Sequence, residues 1–184
     1  MSRLGSVLSR HDLHASELGA LILDGEAYRL DDCVAPIDQP EGPRLRAAAL
    51  ARELPPRLIV EQHSAAWVWG ATARPPARHE VCADVAARTR PALDSRLLVR
   101  EVVILPEDIA LLDGLAVTTP MRTAIDLARF VENWTDSESQ VVRELLRLAG
   151  CSVLDCARVM NRRRNLPNKK TALERLSTCV NGSG

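Results

Sequence analysis

The chain is 184 residues long and carries 24 basic and 24 acidic side chains, for a formal net charge of zero. That length suits one ordinary domain, or one domain with a small appendage, and encloses a core without help from disulfides or metals. A zero net charge excludes a protein drawn to nucleic acid or anionic lipid by its overall field.

The apolar residues are mostly Ala, Leu and Val, and only five residues are aromatic. Such a core packs small side chains and brings helices and sheet close together. The charge is unevenly placed: residues 141–184 hold nine basic and three acidic side chains, leaving +6 there and −6 on residues 1–140. The asymmetry points to a basic interaction surface at the C-terminal end. The five cysteines, Cys33, Cys82, Cys151, Cys156 and Cys179, are odd in number and scattered. Charges interrupt the N-terminal stretch, so nothing there reads as a signal peptide, and no apolar run is long enough to span a bilayer. The expectation is a cytoplasmic protein with free thiols and no membrane association. Cys151 and Cys156 have no second pair nearby, and His11, His14, His63 and His79 lie far from them in sequence. No metal and no other cofactor is expected.

In chain order, Asp12 or Ser16 is a helix N-cap ahead of Leu18, Leu21 and Ile22. Asp24-Gly25 marks a turn, and "EAYRL" and "CVA" read as strands on either side of Asp31-Asp32. Helix, turn, strand, turn, strand is the closing half of a winged helix-turn-helix, expected over residues 1–36. A helical-hairpin cap on the main domain fits the same residues. "IDQPEGP" is the linker, and a second domain is expected over 44–178. "RLRAAALARELPP" predicts a short helix ended by Pro55-Pro56. "RLIVEQHSAAWVWG" predicts another, stopped at Gly70, in which Ser64 and Ala65 keep the surface low beside Trp67 and Trp69 for close packing.

From Val81 the period changes to two. "VCADVAA" and "SRLLVREVVIL" read as strands, the second nearly continuously apolar, as in a strand covered on both faces. "IALLDGLAVTT" gives two short strands around Asp113-Gly114. These form a sheet core at about 79–119, small and mostly antiparallel. A helical tail follows over 120–178: Pro120 to Val131, a helix capped at Ser137 and stopped by Gly150, then "SVLDCARVMNRR" and "NKKTALERLSTC". Residues 179–184 read as a disordered tail. The fold class is α+β, a truncated winged-helix-like segment followed by an α/β domain.

The chemistry concentrates in "GLAVTTPMRTAIDLARF". Thr119 is a good N-cap, and Pro120 stands at the first helical position, where its missing N–H is not needed. Arg122, Asp126 and Arg129 follow at i, i+4 and i+7, so they pair along one stripe. Catalysis would require a nucleophile, base or metal partner, yet Thr123 has no evident activating base and Asp126 already has two arginine neighbours. Phosphate-loop, dinucleotide, nucleophile-elbow and zinc-protease motifs are absent. No enzyme site is expected. His79 and Glu80 point to opposite faces of a strand and read as rim residues. Arg162, Arg163 and Arg164 end one helix, and Lys169 and Lys170 begin the next. They form either a patch for phosphates or an acidic protein, or a solvated face with arginines favourably placed at a helix C-terminus.

The wing-like "GEAYRL", then "SAAWVWG", then strands, "GLAVTTPMRTAIDLAR" and "LPNKKTALERL" come in an order that resembles the actinobacterial branch of the AbiEi-type antitoxins, with a shortened N-terminal winged helix. The signature residues are Thr118, Thr119, Pro120, Arg122, Thr123, Asp126 and Arg129, supported by Ser64, Ala65, Trp67 and Gly70. The resemblance implies a non-enzymatic antitoxin and transcriptional regulator of a type IV toxin–antitoxin system, active in abortive infection and phage defence. Its partner would be a nucleotidyltransferase-like toxin encoded by the adjacent gene. Its winged helix would bind operator DNA, with the reading helix in Ser16–Leu23 and the wing at Tyr28–Val34. The DNA-binding residues implied are Ser16, Glu17 and Arg29, assisted by Arg162, Arg163, Arg164, Lys169 and Lys170. Two departures are visible: only Met1 to Asp12 precedes the reading helix, where the family carries additional helices, and the wing tip is Asp31-Asp32, where the family carries a basic turn. Acidic side chains repel phosphates. A monomer or weak dimer is expected. Two other readings stand beside this one. The first is a protein-interaction module derived from such antitoxins, using a Trp67/Trp69 surface and no longer binding DNA. The second is a hydrolase or nuclease centred on Arg122, Thr123 and Asp126.

Overall fold

The computed structural model describes residues 6–87, 95–163 and 165–181. Helix α1 (Ala15–Leu23) starts at neither Asp12 nor Ser16. His14 is the N-cap: its ring accepts from the Ser16 N–H, and the Glu17 carboxylate takes the His14 N–H at 2.8 Å. Asp12 instead accepts the Ser9 amide at 2.9 Å. Strands β1 (Ala27–Leu30) and β2 (Cys33–Pro36) form an antiparallel hairpin that turns at Asp31, whose φ of 56° suits an Asp in the left-handed region. The helix-strand-strand order read from the sequence is therefore present.

Helix α2 (Pro43–Glu53) follows, and then the chain departs from expectation. The single helix predicted from Arg57 is divided. Ile59–Val60 form strand β3, and helix α3 spans only Gln62–Trp69, closed by Gly70 at φ 87°. Two β-branched residues suit a central strand, and Leu58, Ile59 and Val60 are all buried. The remaining strands are β4 (His79–Asp84), β5 (Leu97–Val102), β6 (Ile109–Leu112) and β7 (Leu115–Thr118).

The five-stranded sheet has the order β5-β4-β3-β7-β6. It is mixed, not mostly antiparallel: β3/β7 and β4/β5 run parallel, while β3/β4 and β6/β7 run antiparallel. The short β3, invisible as a strand in the sequence, is what joins the two halves. Nor is β5 covered on both faces. It lies at an edge, where Leu98 and Val99 are exposed and Arg100 and Glu101 interrupt the apolar run.

Alternation along the strands divides the core. Val60, Val81 and Val117 face α2 and α3 and pack with Leu50, Trp67 and Val68. Ile59 and Cys82 belong to the opposite face, with Ile104 against them. Leu30, Cys33 and Ala35 from the N-terminal hairpin join the first of these groups, so hairpin and sheet share one interior.

The C-terminal part is a helical layer of α4 (Pro120–Phe130), α5 (Asp136–Ala149), α6 (Val153–Arg162) and α7 (Lys169–Asn181). Leu127, Leu145, Met160 and Leu176, one from each helix, are fully buried together. Helix α5 is capped by Thr135 and not by Ser137, because the Thr135 hydroxyl accepts the Glu138 N–H at 3.4 Å. Helix α7 continues through Asn181, past the expected start of a disordered tail, and 182–184 lie outside the described residues.

Candidate functional site

The signature helix α4 begins as its sequence requires. Thr119 Oγ1 accepts the Arg122 N–H at 3.3 Å, with Pro120 at the first helical position. Thr123 is fully buried, and its hydroxyl bonds Thr118 Oγ1 at 2.7 Å and the Thr119 carbonyl at 2.9 Å. These bonds tie the first turn of α4 to the end of β7. The Trp69 indole N–H donates to the Thr118 carbonyl at 2.8 Å and brings α3 to the same junction.

Arg122, Asp126 and Arg129 are paired as their spacing predicts, but the stripe is not on the surface. Arg122 Nε donates to Asp126 at 2.7 Å, and Arg129 Nη1 donates to its other oxygen at 2.9 Å. Asp126 is 0% exposed. The cluster extends further than the sequence reveals. Arg122 Nη1 reaches Asp108 at 2.6 Å, and Arg163 Nη2 spans both Asp108 oxygens at 2.6 and 2.8 Å. One alternating chain of charges thus binds the β5–β6 connection, α4 and the end of α6.

A second missed carboxylate, Glu61, is also fully buried. Arg100 Nε and Nη2 each donate to it at 2.6 Å. The Arg100 and Arg129 guanidinium groups both lie 4.4 Å from the centre of the Phe130 ring, a cation–π arrangement. Four guanidiniums therefore face three carboxylates. Burial works against the charge on Arg122, but Asp126 and Asp108 outweigh it and raise its pKa above the ordinary arginine value. Arg129 moves the other way: burial lowers it, and of its neighbours Asp126 supports the charge while Arg122 and Arg100 oppose it. The two partners of Asp126 differ because Arg122 has a second carboxylate and Arg129 does not.

His63 forms another clamp that sequence reasoning missed. Its Nδ1 lies 3.0 Å from Glu80 and its Nε2 3.1 Å from Glu138, joining α3, β4 and α5. Hydrogen bonds to Glu138 and then Glu80 raise its pKa to about 10, against the opposing effect of burial. Glu80 is thus a structural partner and not a rim residue. His79 is buried as well, held between Ser64 Oγ at 3.1 Å and Asp31 at 2.9 Å. A serine, a histidine and an aspartate in line suggest a nucleophile, but Ser64 is 0% exposed and its oxygen accepts the Glu80 N–H at 2.9 Å. Its hydroxyl is enclosed.

Ala65 and Trp67 are buried beside Ser64 and pack into the core, as the low helix surface implied. The burial of Trp67, at 1% exposure, removes the Trp67/Trp69 docking surface imagined for an interaction module. Burial also pushes Cys33 and Cys156 thiols up to about 12. Among the described residues, no three His, Cys, Asp or Glu side chains converge as metal ligands would.

The residues implied for DNA reading fall at three places. Ser16 and Glu17 are in the first turn of α1, where Ser16 Oγ meets the His14 ring at 2.8 Å and Glu17 closes the capping box. Arg29 is exposed on β1. The wing tip itself is docked: Asp31 holds His79, and Asp32 pairs with Arg96. The acidic turn is therefore explained by the fold, since its carboxylates bind His79 on β4 and Arg96 just before β5. In the basic tail, Arg162 and Lys170 are exposed, Lys169 is half-buried, and Arg163 is engaged with Asp108. Arg164 lies outside the described residues.

A mixed sheet joined to its signature helix by buried ion pairs, with an N-terminal helix and hairpin folded against it, is the class of α+β protein that fold and cluster define. The family model described as the AbiEi antitoxin C-terminal domain matches residues 58–164, and the chain belongs to the AbiEi antitoxin family. That segment runs from β3 to the end of α6 and contains the whole charged cluster. The fold is similar to the crystal structure of the RV2827C protein from Mycobacterium tuberculosis, with a TM-score of 0.50 and 21% identity over 98% of this chain and 73% of that one. At that identity the likeness concerns the fold. No curated protein matches the sequence. No helix among the described residues is long and apolar enough to cross a membrane.

Proposed function

We propose that this chain is the antitoxin of a type IV toxin–antitoxin pair, opposing a nucleotidyltransferase-like toxin encoded by the adjacent gene and serving abortive infection of phage in the cytoplasm. Its family gives an antitoxin role. The observation that carries the reading is the state of the signature: Thr123, Arg122, Asp126 and Arg129 are buried and directed at one another and at neighbouring elements. Groups so engaged hold surfaces in place for a macromolecular partner, and neither Thr123 nor Asp126 is presented to a substrate. Co-expression with the adjacent open reading frame tests this. Restored growth supports antitoxicity, and growth arrest unchanged by the chain removes it.

The regulatory half follows a narrower reading. With Asp31 and Asp32 turned to His79 and Arg96, the hairpin acts as a brace, and it is not free to enter a groove as a wing does. Any operator binding then rests on the exposed Arg29, Arg162 and Lys170, and is weak and salt-sensitive because phosphate contacts dominate it. A gel-shift titration against the upstream region checks this. A tight complex that survives high salt would restore the wing as a reader.

A further inference from the structure

The ends of α4 and α6 enclose a cleft of about 380 Å³ that the antitoxin reading leaves unused. Arg122, Arg162 and Arg163 line it together with Leu105, Ile125 and Val159. The arginines are only partly engaged. Arg122 uses Nε for Asp126 and Nη1 for Asp108, and no hydrogen-bond partner among the described residues meets its Nη2. Yet the residue is only 5% exposed. Among the described residues Arg163 uses Nη2 alone, with no partner for Nε or Nη1, and Arg162 is exposed with no partner. A guanidinium carries five N–H donors, and leaving those of a buried one unmet is unfavourable. Three guanidiniums with donors unmet among the described residues therefore line one small space.

The acidic residues do not cancel them. Asp108 lines the cleft but is shared between Arg122 and Arg163, and Asp126 lies behind Arg122, shared with Arg129. Glu107 is the remaining carboxylate and lies exposed in the lining. Counting Glu107 and Asp108 against the three arginines leaves the lining one positive charge in excess. Forked guanidinium donors match phosphate oxygens, and the apolar side chains between them can contact a flat ring. The volume falls within the range of small-molecule clefts, roughly 300–1,000 Å³. From this juxtaposition we infer that the cleft between α4 and α6 binds a phosphate monoester that also carries a flat ring, the chemical class of a mononucleotide. Phosphates of a duplex are a poorer match, because Arg122 stands within the cleft and not on a surface that a duplex could touch.

The test is calorimetric titration of the intact chain at low salt with AMP, and with inorganic phosphate as the ring-free probe. AMP is expected to bind saturably, more tightly than phosphate, and to be displaced by it. Arg162→Glu should weaken AMP by about tenfold or more, the loss of one charge-assisted contact. Arg158→Glu, on the same helix but paired with Asp155, should leave AMP binding unchanged. Both residues are exposed and partnered at most on their own helix, so neither change removes a core contact. Absence of saturable AMP binding, equal loss in both variants, or AMP no tighter than phosphate would each overturn the assignment.

Discussion

Removing Asp126 is the most direct perturbation of the charged cluster. Asp126 is 0% exposed and accepts one bond from Arg122 and one from Arg129. Asp126→Ala leaves both guanidiniums facing a small cavity with one of their donors unmet. Breaking a buried ion pair from one side destabilises by about 3–5 kcal/mol. A domain of this size has a total stability of roughly 5–15 kcal/mol, so the loss is a large fraction of the whole. With a urea slope of about 2 kcal/mol/M, the unfolding midpoint should fall by about 1.5–2.5 M. Equilibrium urea unfolding followed by circular dichroism reads this, with the slope itself unchanged. Glu144→Ala provides the contrast, because the Glu144–Arg147 pair lies on the exposed face of α5 and such pairs contribute about 0–1 kcal/mol. If Asp126→Ala shifts the midpoint no further than Glu144→Ala, the cluster does not hold α4 to the sheet, and the structural reasoning fails.

Other expectations follow from individual residues. His63 has a folded pKa of about 10, above its ordinary 6.5. Its stabilisation is full below the unfolded value and is lost as pH rises from 6.5 through 10. The stability gap between the native chain and His63→Gln should therefore be wide at pH 6 and nearly closed above pH 10 in urea titrations. Thr119→Ala removes the α4 N-cap and should reduce stability by about 1 kcal/mol, seen as a lower melting midpoint. Gly150 closes α5 at φ 59°, so Gly150→Ala should cost about 1 kcal/mol by the same measurement. Asp31→Ala together with Asp32→Ala should release the hairpin from His79 and Arg96 and speed hydrogen exchange in β1 and β2, while the α5 amides stay protected.

Local signals in the sequence carried much of this fold. Thr119-Pro120 announced α4, Gly70 and Gly150 closed α3 and α5, and Asp113-Gly114 turned the β6–β7 hairpin, each through chemistry confined to a few residues. What the sequence concealed depends on long-range placement. Ile59–Val60 is too short for a period to develop, and its helical neighbours made it look like part of α3. The apolar run before Ile104 resembles a central strand, and only the sheet order places β5 at an edge. In the candidate site, the Arg122–Asp126–Arg129 spacing was legible, but its burial was not. Asp108 lies 14 positions before Arg122 and Arg163 lies 55 after Asp108, and no local pattern links them. A carboxylate following the apolar run Leu58–Val60 was the one available hint for Glu61, since an acidic residue beside so much buried surface requires a partner.

The central claim is that this chain neutralises a toxin by binding, with its N-terminal hairpin as a brace and without a covalent step. Growth under co-expression with the adjacent reading frame measures it most directly, comparing the native chain with a Ser16→Ala, Arg29→Ala double variant. Both are predicted to restore growth equally, because neither residue supports the antitoxin domain. Failure of both chains to restore growth, or rescue by the native chain alone, would contradict the account.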